Sequence, residues 1–379
     1  MKIIIAPQAF KGSLTGEEAA RSIAEGVYRV WPKAHVDLLP VSDGGNDTLE
    51  ILVKATGGRY MDGEAAGPLG EVLKTQWGIL GDGQTAVIET AKICGLLLIP
   101  EELRNPALTT SFGVGQILSH CLDLGFRKFV IGLGGSATND GGCGLAQAMG
   151  VKFLNQNHNV LPLGGISLLD LAEIDLSELD PRIKDSEISV AVDVTNPLCG
   201  PLGASVIYGP QKGASPALVE QLDKAMERLS KIIEKDLRVN VRDLPGAGAA
   251  GGLAAGLLAF LEGKLCSGAE LICDSICLEA HLTNADLVIV GEGSLDLQSS
   301  FDKASVVVAR RAKRKGIPVL AVSGILGPGY EQLIQQGINQ MVSIMGSGIS
   351  HNEAITNAFS LVALTTEKAL RESQIMMPR

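Results

Sequence analysis

Short apolar runs alternate with amphipathic stretches along most of the chain. Residues 3–6, Ile-Ile-Ile-Ala, predict a strand. Thr15-Gly-Glu-Glu18 is a capping box, and Ile23, Val27 and Val30 then form one helical stripe that Pro32 ends. Residues 36–41 predict the next strand, and Leu49, Leu52 and Val53 lie on a helix stopped by Gly57 and Gly58. The C-terminal part repeats the scheme. Strands are predicted at 286–290, 317–322 and 340–344, a loop at 291–300, and helices at 303–315, 330–336 and 352–370. Strands alternating with helices imply a parallel sheet with helices on both faces.

The middle of the chain has a different texture. Residues 73–78 and 85–89 read as strands joined by a Gly-Asp-Gly turn at 81–83, and 152–154 with 160–161 as a hairpin around an Asn-rich turn. This pattern predicts a mixed sheet. Ser215 and Pro216 open a long amphipathic helix with Leu222, Met226, Leu229 and Ile233 on one face. At 379 residues the chain is too long for one ordinary core. The expected fold is therefore α/β with two lobes. Both chain ends, 1–65 and 285–379, form a doubly wound, Rossmann-like parallel-sheet lobe, and 66–284 form an inserted α/β lobe with a mixed sheet. Ligands of such sheets bind beyond the carboxyl ends of the strands. That rule puts 8–13, 42–47, 291–296 and 323–327 along one rim and the active site in the cleft between the lobes.

Composition narrows the function. The net charge is −10, aromatic residues make up 4%, and no basic stripe is interleaved with aromatics, so nucleic acid is not an expected partner. The apolar run after Met1 is too short for a signal peptide, and the Gly/Ala-rich stretch 246–261 falls short of a membrane span. Seven scattered cysteines without a Cys-x-x-Cys fit a reducing cytoplasm. Cys273, Cys277 and His281 are spaced to share a helix face. They lack a fourth zinc ligand, and their apolar neighbours Leu271, Ile272, Ile276 and Leu282 favour a packed face instead.

Glycine accounts for 46 residues, well above the usual ~7%, with no collagen-like period. Many of these glycines sit in loops that carry candidate chemistry. A strand-like run from Phe129 empties into Gly132-Leu-Gly-Gly-Ser-Ala-Thr-Asn-Asp-Gly-Gly142, followed by a helix-like segment. Glycines let backbone N–H groups face an anion, and the helix start adds positive dipole. Ser136, Thr138, Asn139 and Asp140 supply oxygens suited to phosphate and a hard cation. A second loop, Asp193-Val-Thr-Asn-Pro-Leu-Cys-Gly200, leads on to Gly209-Pro-Gln-Lys-Gly213. Candidate carboxylates are Asp43, Asp140, Asp193, Glu292 and Asp296, each of which could instead be a turn or cap residue. Candidate cations are Lys11, Lys212 and Lys303, against the alternative of solvated surface charge.

Two segments loosely satisfy a dinucleotide fingerprint, Gly132 to Ala137 and Gly246 to Gly251. Neither has an acid about 20 residues on at the end of a second strand, so a nicotinamide enzyme is disfavoured. The glycines from 246 to 256 fit close helix packing, or a phosphate-facing helix start. Walker and protein-kinase signatures are absent from the sequence, which does not exclude ATP, since other folds also supply a metal clamp, cations and a base.

Taken together these loops resemble the bacterial glycerate kinases. The matching pieces are Phe10-Lys-Gly-Ser-Leu14, Pro40-Val-Ser-Asp-Gly-Gly45, Gly67-Pro-Leu-Gly70, the glycine loop ending at Gly142 and Asp193-Val-Thr-Asn-Pro-Leu198. Tyr208-Gly-Pro-Gln-Lys-Gly-Ala214, Pro245-Gly-Ala-Gly-Ala-Ala-Gly-Gly252 and Gly291-Glu-Gly293 continue the series in family order. The resemblance implies transfer of the γ-phosphoryl group of ATP to D-glycerate with Mg2+, giving 2-phosphoglycerate. It implies that Lys11 and Lys212 neutralise phosphate charge, and that Asp43 and Asp193 divide the general-base and metal duties. Ser13, Arg104, Ser136, Thr138, Asn139, Asn196, Gln211 and Lys303 would bind substrate or phosphate. Glu292 and Asp296 would join Asp193 in holding metal or nucleotide. The sequence departs from the family pattern at Ser294 and Phe112, where arginine is usual, at Asp302, where glycine is usual, and at Asn46 and Asp47. Arginine binds carboxylate or phosphate bidentately, and serine or phenylalanine cannot replace it. The alternative is thus a catalytically impaired relative that binds glycerate or nucleotide.

Overall fold

The computed structural model describes residues 1–10, 12–296, 303–346 and 349–372. Its strands, in chain order, are β1 (Lys2–Pro7), β2 (His35–Leu38), β3 (Arg59–Ala66), β4 (Val72–Ile79), β5 (Thr85–Glu89), β6 (Lys128–Gly132), β7 (Lys152–Leu154), β8 (Glu173–Asp175), β9 (Glu187–Val192), β10 (Lys264–Ser267), β11 (Leu287–Leu295), β12 (Val319–Leu326) and β13 (Gln340–Ser343). The chain divides into two compact units, one of Met1–Asp43 with Ala269–Arg379, the other of Gly44–Gly268.

The first unit holds a five-stranded parallel sheet in the order β13-β12-β11-β1-β2. The expected pairing of the two chain ends is present: Ile3 lies opposite Leu287, and Val288 opposite Val319. Ile3, Ile5, Ile23, Val27, Leu287, Ile289 and Val362 are in its core. The capping box forms as read, with Thr15 and Glu18 exchanging hydrogen bonds at the start of the helix Gly16–Val30, an arrangement worth about 1 kcal/mol.

The second unit holds a six-stranded mixed sheet in the order β10-β9-β6-β5-β4-β3. Strands β10, β9, β6 and β5 run parallel, while β4 and β3 pair antiparallel at one edge. Leu222, Met226, Leu229 and Ile233 of the helix Pro216–Leu237 are buried in its core, as their spacing predicts, and each contributes about 1.5–3 kcal/mol by leaving water. No helix among the described residues is long and apolar enough to cross a membrane.

Several expectations are corrected. The expected lobe boundaries at 65/66 and 284/285 differ from the observed division at 43/44 and 268/269. At the first boundary the reason is β3, a polar strand that extends the second sheet through eight pairs with β4. The loop expected from 291 is strand as far as Leu295, because β12 also runs on and pairs Ser294 with Ile325 and Leu295 with Leu326. Residues 352–370 are two helices, His351–Thr356 and Ala358–Glu372, rather than one. The Asn-rich turn closes as a hairpin, with Leu161 N donating to Phe153 O at 2.8 Å, and β8 additionally pairs with β7. The face expected to carry Cys273, Cys277 and His281 is interrupted. Cys277 adopts a left-handed φ of 52° between the helices Gly268–Ser275 and Leu278–His281. Cys273 is buried, Cys277 is exposed, and His281 Nδ1 lies 2.9 Å from Asp37 Oδ2.

The glycines after 246 serve close packing. Ala250, Gly251 and Gly252 are consecutive left-handed residues at the start of the helix Ala249–Leu261. A Cβ on Gly251 would stand 1.9 Å from the carbonyl oxygen of Thr138, and one on Gly256 2.6 Å from that of Gly141. Gly141 N also donates to Gly251 O at 3.0 Å. This turn is therefore the seat of the loop that follows β6. Gly251→Ala meets both the wrong φ and a backbone clash. Urea denaturation should show a loss of more than about 2 kcal/mol, whereas a loss under about 0.5 kcal/mol would mean that the two segments do not interlock this way.

Candidate active site

In the second unit the loop after β6 is pinned at each step. Leu133 N donates to Ala191 O at 3.0 Å, Leu96 N to Gly135 O at 2.7 Å, and Ala137 N to Cys94 O at 2.8 Å. Positive φ values at Gly135, Gly141 and Gly142 let the backbone reverse without strain. Asp140 is 1% exposed, and its carboxylate accepts from Ser111 N and Ser111 Oγ, both at 2.8 Å. Gly142 N and Gly144 N also donate to it, at 3.2 and 3.3 Å. Burial raises its pKa, and the hydrogen bonds from Ser111, Gly142 and Gly144 oppose that rise. Asp140 thus spends its oxygens on shaping the loop, the cap role weighed for it from sequence.

Lys212 closes over the same loop from the short turn Pro210–Lys212. Its side chain is 3% exposed, and Nζ donates to Ser136 Oγ at 3.1 Å and to Thr138 O at 2.6 Å. Burial pushes its pKa down from 10.5 to about 8, with Cys94 and Asp140 acting in the opposite direction. Lys212, Ser136 and Thr138 are therefore brought together across more than 70 residues of sequence. Asn139 is fully buried, its Nδ2 donates to Ser205 Oγ at 2.9 Å, and its Oδ1 has no hydrogen-bond partner among the described residues. A Cβ on Gly213 would stand 2.4 Å from the Arg104 carbonyl, so the Arg104 segment packs beside the lysine turn. Arg104 itself is half-buried, and its Nε lacks a partner among the described residues.

The loop after β9 is largely self-contained. Asn196 accepts from Tyr208 OH at 2.6 Å and donates to Leu202 O at 2.9 Å, which commits both ends of its amide. Asp193 is half-buried. Tyr208 is pushed up to about 12 by burial first and by the Asp193 charge second, so the two side chains are neighbours. Gln211 is exposed.

In the first unit, Asp43 is buried and its Oδ2 accepts from Gln8 Nε2 at 2.7 Å. Ser13 Oγ donates to Phe10 O at 3.0 Å and so closes its own turn. Glu292, 4% exposed, lies on β11 rather than in a loop, with Lys303 Nζ 3.3 Å from its Oε2. Lys303 also donates to Ser294 O at 3.4 Å and precedes the helix Ala304–Arg314. Asp296 follows β11 and is half-buried. Lys11 and Asp302 lie outside the described residues.

Gln8 and Glu89 are absent from the residues singled out in the sequence. Gln8 falls inside the expected rim but had no charge to mark it. Glu89 ends the apolar strand β5 and is 3% exposed, with a pKa pushed up to about 7 mainly by burial. Its only signal in sequence is an acid directly after four residues of strand.

The glycerate kinase family profile matches residues 3–374. The chain is 45% identical over 360 residues to a glycerate kinase of Halalkalibacterium halodurans, covering 95% of each chain. It is also 45% identical over 359 residues to the glycerate 2-kinase of Escherichia coli K12, covering 95% of this chain and 94% of that one. A crystal structure from Salmonella typhimurium LT2, provisionally assigned as glycerate kinase 2, superposes with a TM-score of 0.80 at 43% identity, covering 98% and 97% of the two chains. With matches of this length and identity, and a fold in agreement, the chain belongs to the glycerate kinase family.

Proposed function

We propose that this chain transfers the γ-phosphoryl group of ATP to D-glycerate, yielding 2-phosphoglycerate and ADP, in the cytoplasm. The observation that carries the proposal is the buried Lys212 ammonium tied to Ser136 and Thr138 in a glycine-rich loop after a parallel strand. Phosphoryl transfer is mostly positioning and charge stabilisation. A desolvated cation held at a fixed place in a glycine-rich loop supports both in a protein of net charge −10.

In the reaction, the glycerate hydroxyl gives its proton to a carboxylate, Asp193 or Asp43. Its oxygen bonds to the γ-phosphorus as the bond to the β,γ-bridging oxygen breaks, and that electron pair leaves on ADP. Lys212 and Lys11 offset charge on the phosphates. Ser136, Thr138 and Asn139 shape the phosphate loop, and Arg104 clamps the glycerate carboxylate, a bidentate task suited to guanidinium. Ser13, Gln211 and Lys303 are further candidates to bind substrate or phosphate in this assignment, whereas the Asn196 amide is held by Tyr208 and Leu202 and would act by shaping its loop. For magnesium, the hard oxygens of Asp193, Glu292 and Asp296 fit the ion's chemistry. Among the described residues no group of three or more His, Cys, Asp or Glu side chains is arranged for a metal. Magnesium usually takes one or two carboxylates and fills its shell with phosphate and water oxygens, so no more than two of these three carboxylates would hold it at once. The ion would supply charge neutralisation on the phosphates. Phe112 and Ser294, where the family usually carries arginine, favour the second reading, a relative that binds glycerate or nucleotide without turnover.

Steady-state assay of ADP release should show magnesium-dependent turnover with D-glycerate. Binding of ATP with no turnover on any small hydroxy acid would leave the second reading. Lys11→Ala, Lys212→Ala and Asp193→Asn should each lower kcat/KM by about 100-fold or more. Lys231→Ala, at an exposed site paired with Glu227 at 2.8 Å, should change little. Near wild-type kcat/KM in Asp193→Asn would make that carboxylate a loop residue and move the base to Asp43.

The lowered pKa of Lys212 gives two further observables of opposite sign. The charge that serves phosphate is lost above about pH 8, so kcat/KM should fall there. Between about 8 and 10.5 the unfolded chain binds the proton that the folded chain has released. The residue's contribution to folding stability therefore rises across that window. Both trends should vanish in Lys212→Ala, and a kcat/KM profile flat to pH 10 in the wild type would remove the lysine from the charged site.

A further inference from the structure

We propose that Glu89 is a positioning residue for the phosphate loop, holding the turn 44–47 in place against the glycines that lead to Ser136. The helix Thr48–Thr56 begins without help from its own N-cap: Asp47 has a left-handed φ of 67° and its side chain makes no capping hydrogen bond. The cap is delivered instead from a neighbouring strand, because Glu89 Oε2 accepts from Leu49 N at 3.0 Å. A carboxylate at a helix start satisfies orphan amides and meets the positive end of the dipole.

Three close approaches show what this cap holds. A Cβ on Gly132 would stand 2.7 Å from Gly44 O, one on Gly134 2.5 Å from Gly45 Cα, and one on Gly135 2.7 Å from Asn46 Oδ1. The turn thus lies directly on the glycine loop, with no room for a side chain between them. The next residue secures the other partner, since Thr90 N and Thr90 Oγ1 both donate to Gly132 O, at 3.1 and 2.9 Å. Glu89 also sits opposite Gly132 in the β5–β6 register. Two consecutive residues at one strand end therefore fix both layers, Glu89 the turn and Thr90 the loop beneath it.

The state of this clamp depends on pH. The charged groups facing Glu89 are Asp47, at the start of the capped helix, which raises its pKa, and Lys92, on the helix Ala91–Cys94, which lowers it. Burial outweighs the three downward influences, the backbone amides of Leu49 and Asp47 and the Lys92 charge, and leaves the group titrating near 7. Below that pH the cap is a neutral acid, with a weaker hold on the helix amides.

The kinetic consequence rests on the phosphoryl-transfer reading; the structural consequence does not. Glu89→Gln keeps the shape and one acceptor but not the charge. At pH 8 its kcat/KM should be about tenfold lower than wild type, with an unchanged circular dichroism spectrum. The wild type should show an acid limb near pH 7 that the variant lacks, a signature that a merely packing role would not produce. Hydrogen–deuterium exchange, corrected for intrinsic rates, should show the amide of Leu49 in the wild type gaining protection between pH 6 and 8. Wild-type kinetics with a retained acid limb in Glu89→Gln would overturn the proposal, as would pH-independent protection of Leu49. A wild type with no phosphoryl transfer would instead overturn the function reading, and the exchange result would still decide the role of Glu89.

Discussion

A lysine ammonium withdrawn from water is the constraint around which the second unit is organised. Burying an unpaired charge costs far more than a domain's net stability, so Lys212 demands oxygens at fixed positions. Ser136 Oγ and the Thr138 carbonyl supply two of them. For that carbonyl to be available, the loop must reverse at Gly135 and again at Gly141 and Gly142. For the loop to hold that shape, Asp140 must collect amides from Ser111, Gly142 and Gly144. The left-handed turn at Ala250 and Gly251 must then lie against Thr138 with no side chain between. Each requirement explains a residue that composition alone registered only as excess glycine.

The elements governed by local rules were legible. The Thr15 to Glu18 capping box, the Ser215 cap and the apolar stripe Leu222, Met226, Leu229 and Ile233 depend on residues three or four apart, and all form as read. Strand β3 was not legible: Arg59, Asp62 and Glu64 place charge along an edge strand, where polarity guards against unwanted pairing. The extension of β11 past Gly291 was hidden for another reason. Gly291, Gly293 and Ser294 have low strand preference, and the pairing is decided by β12 beside them.

The candidate site divides along the same line. Its residues could be nominated one by one, because Gly, Ser, Asp and Lys at strand ends are recognisable in sequence. Which of them meet could not. Lys212 and Ser136 are brought together by the packing of the sheet's connections, and no periodicity encodes it. Glu89 was missed because its partner, an amide of Leu49, belongs to the backbone and leaves no trace in residue type.

Asp140 and Glu89 show how one chemical group takes two behaviours from its donors. Both are carboxylates at the start of a helix, both are nearly inaccessible, and burial raises both pKa values. Asp140 is met by three backbone amides and a hydroxyl, a full shell for an ion, and its loop is locked. The hydrogen bonds that hold Glu89 down come from backbone amides at Asp47 and Leu49, and the Asp47 charge works against it, so its balance falls near neutrality. The two carboxylates thus differ in the donors that oppose the burial of their charge, three amides and a hydroxyl at Asp140 against two amides at Glu89. The two carboxylates act on the two layers of one structure, Asp140 on the glycine loop itself and Glu89 on the turn that lies against it.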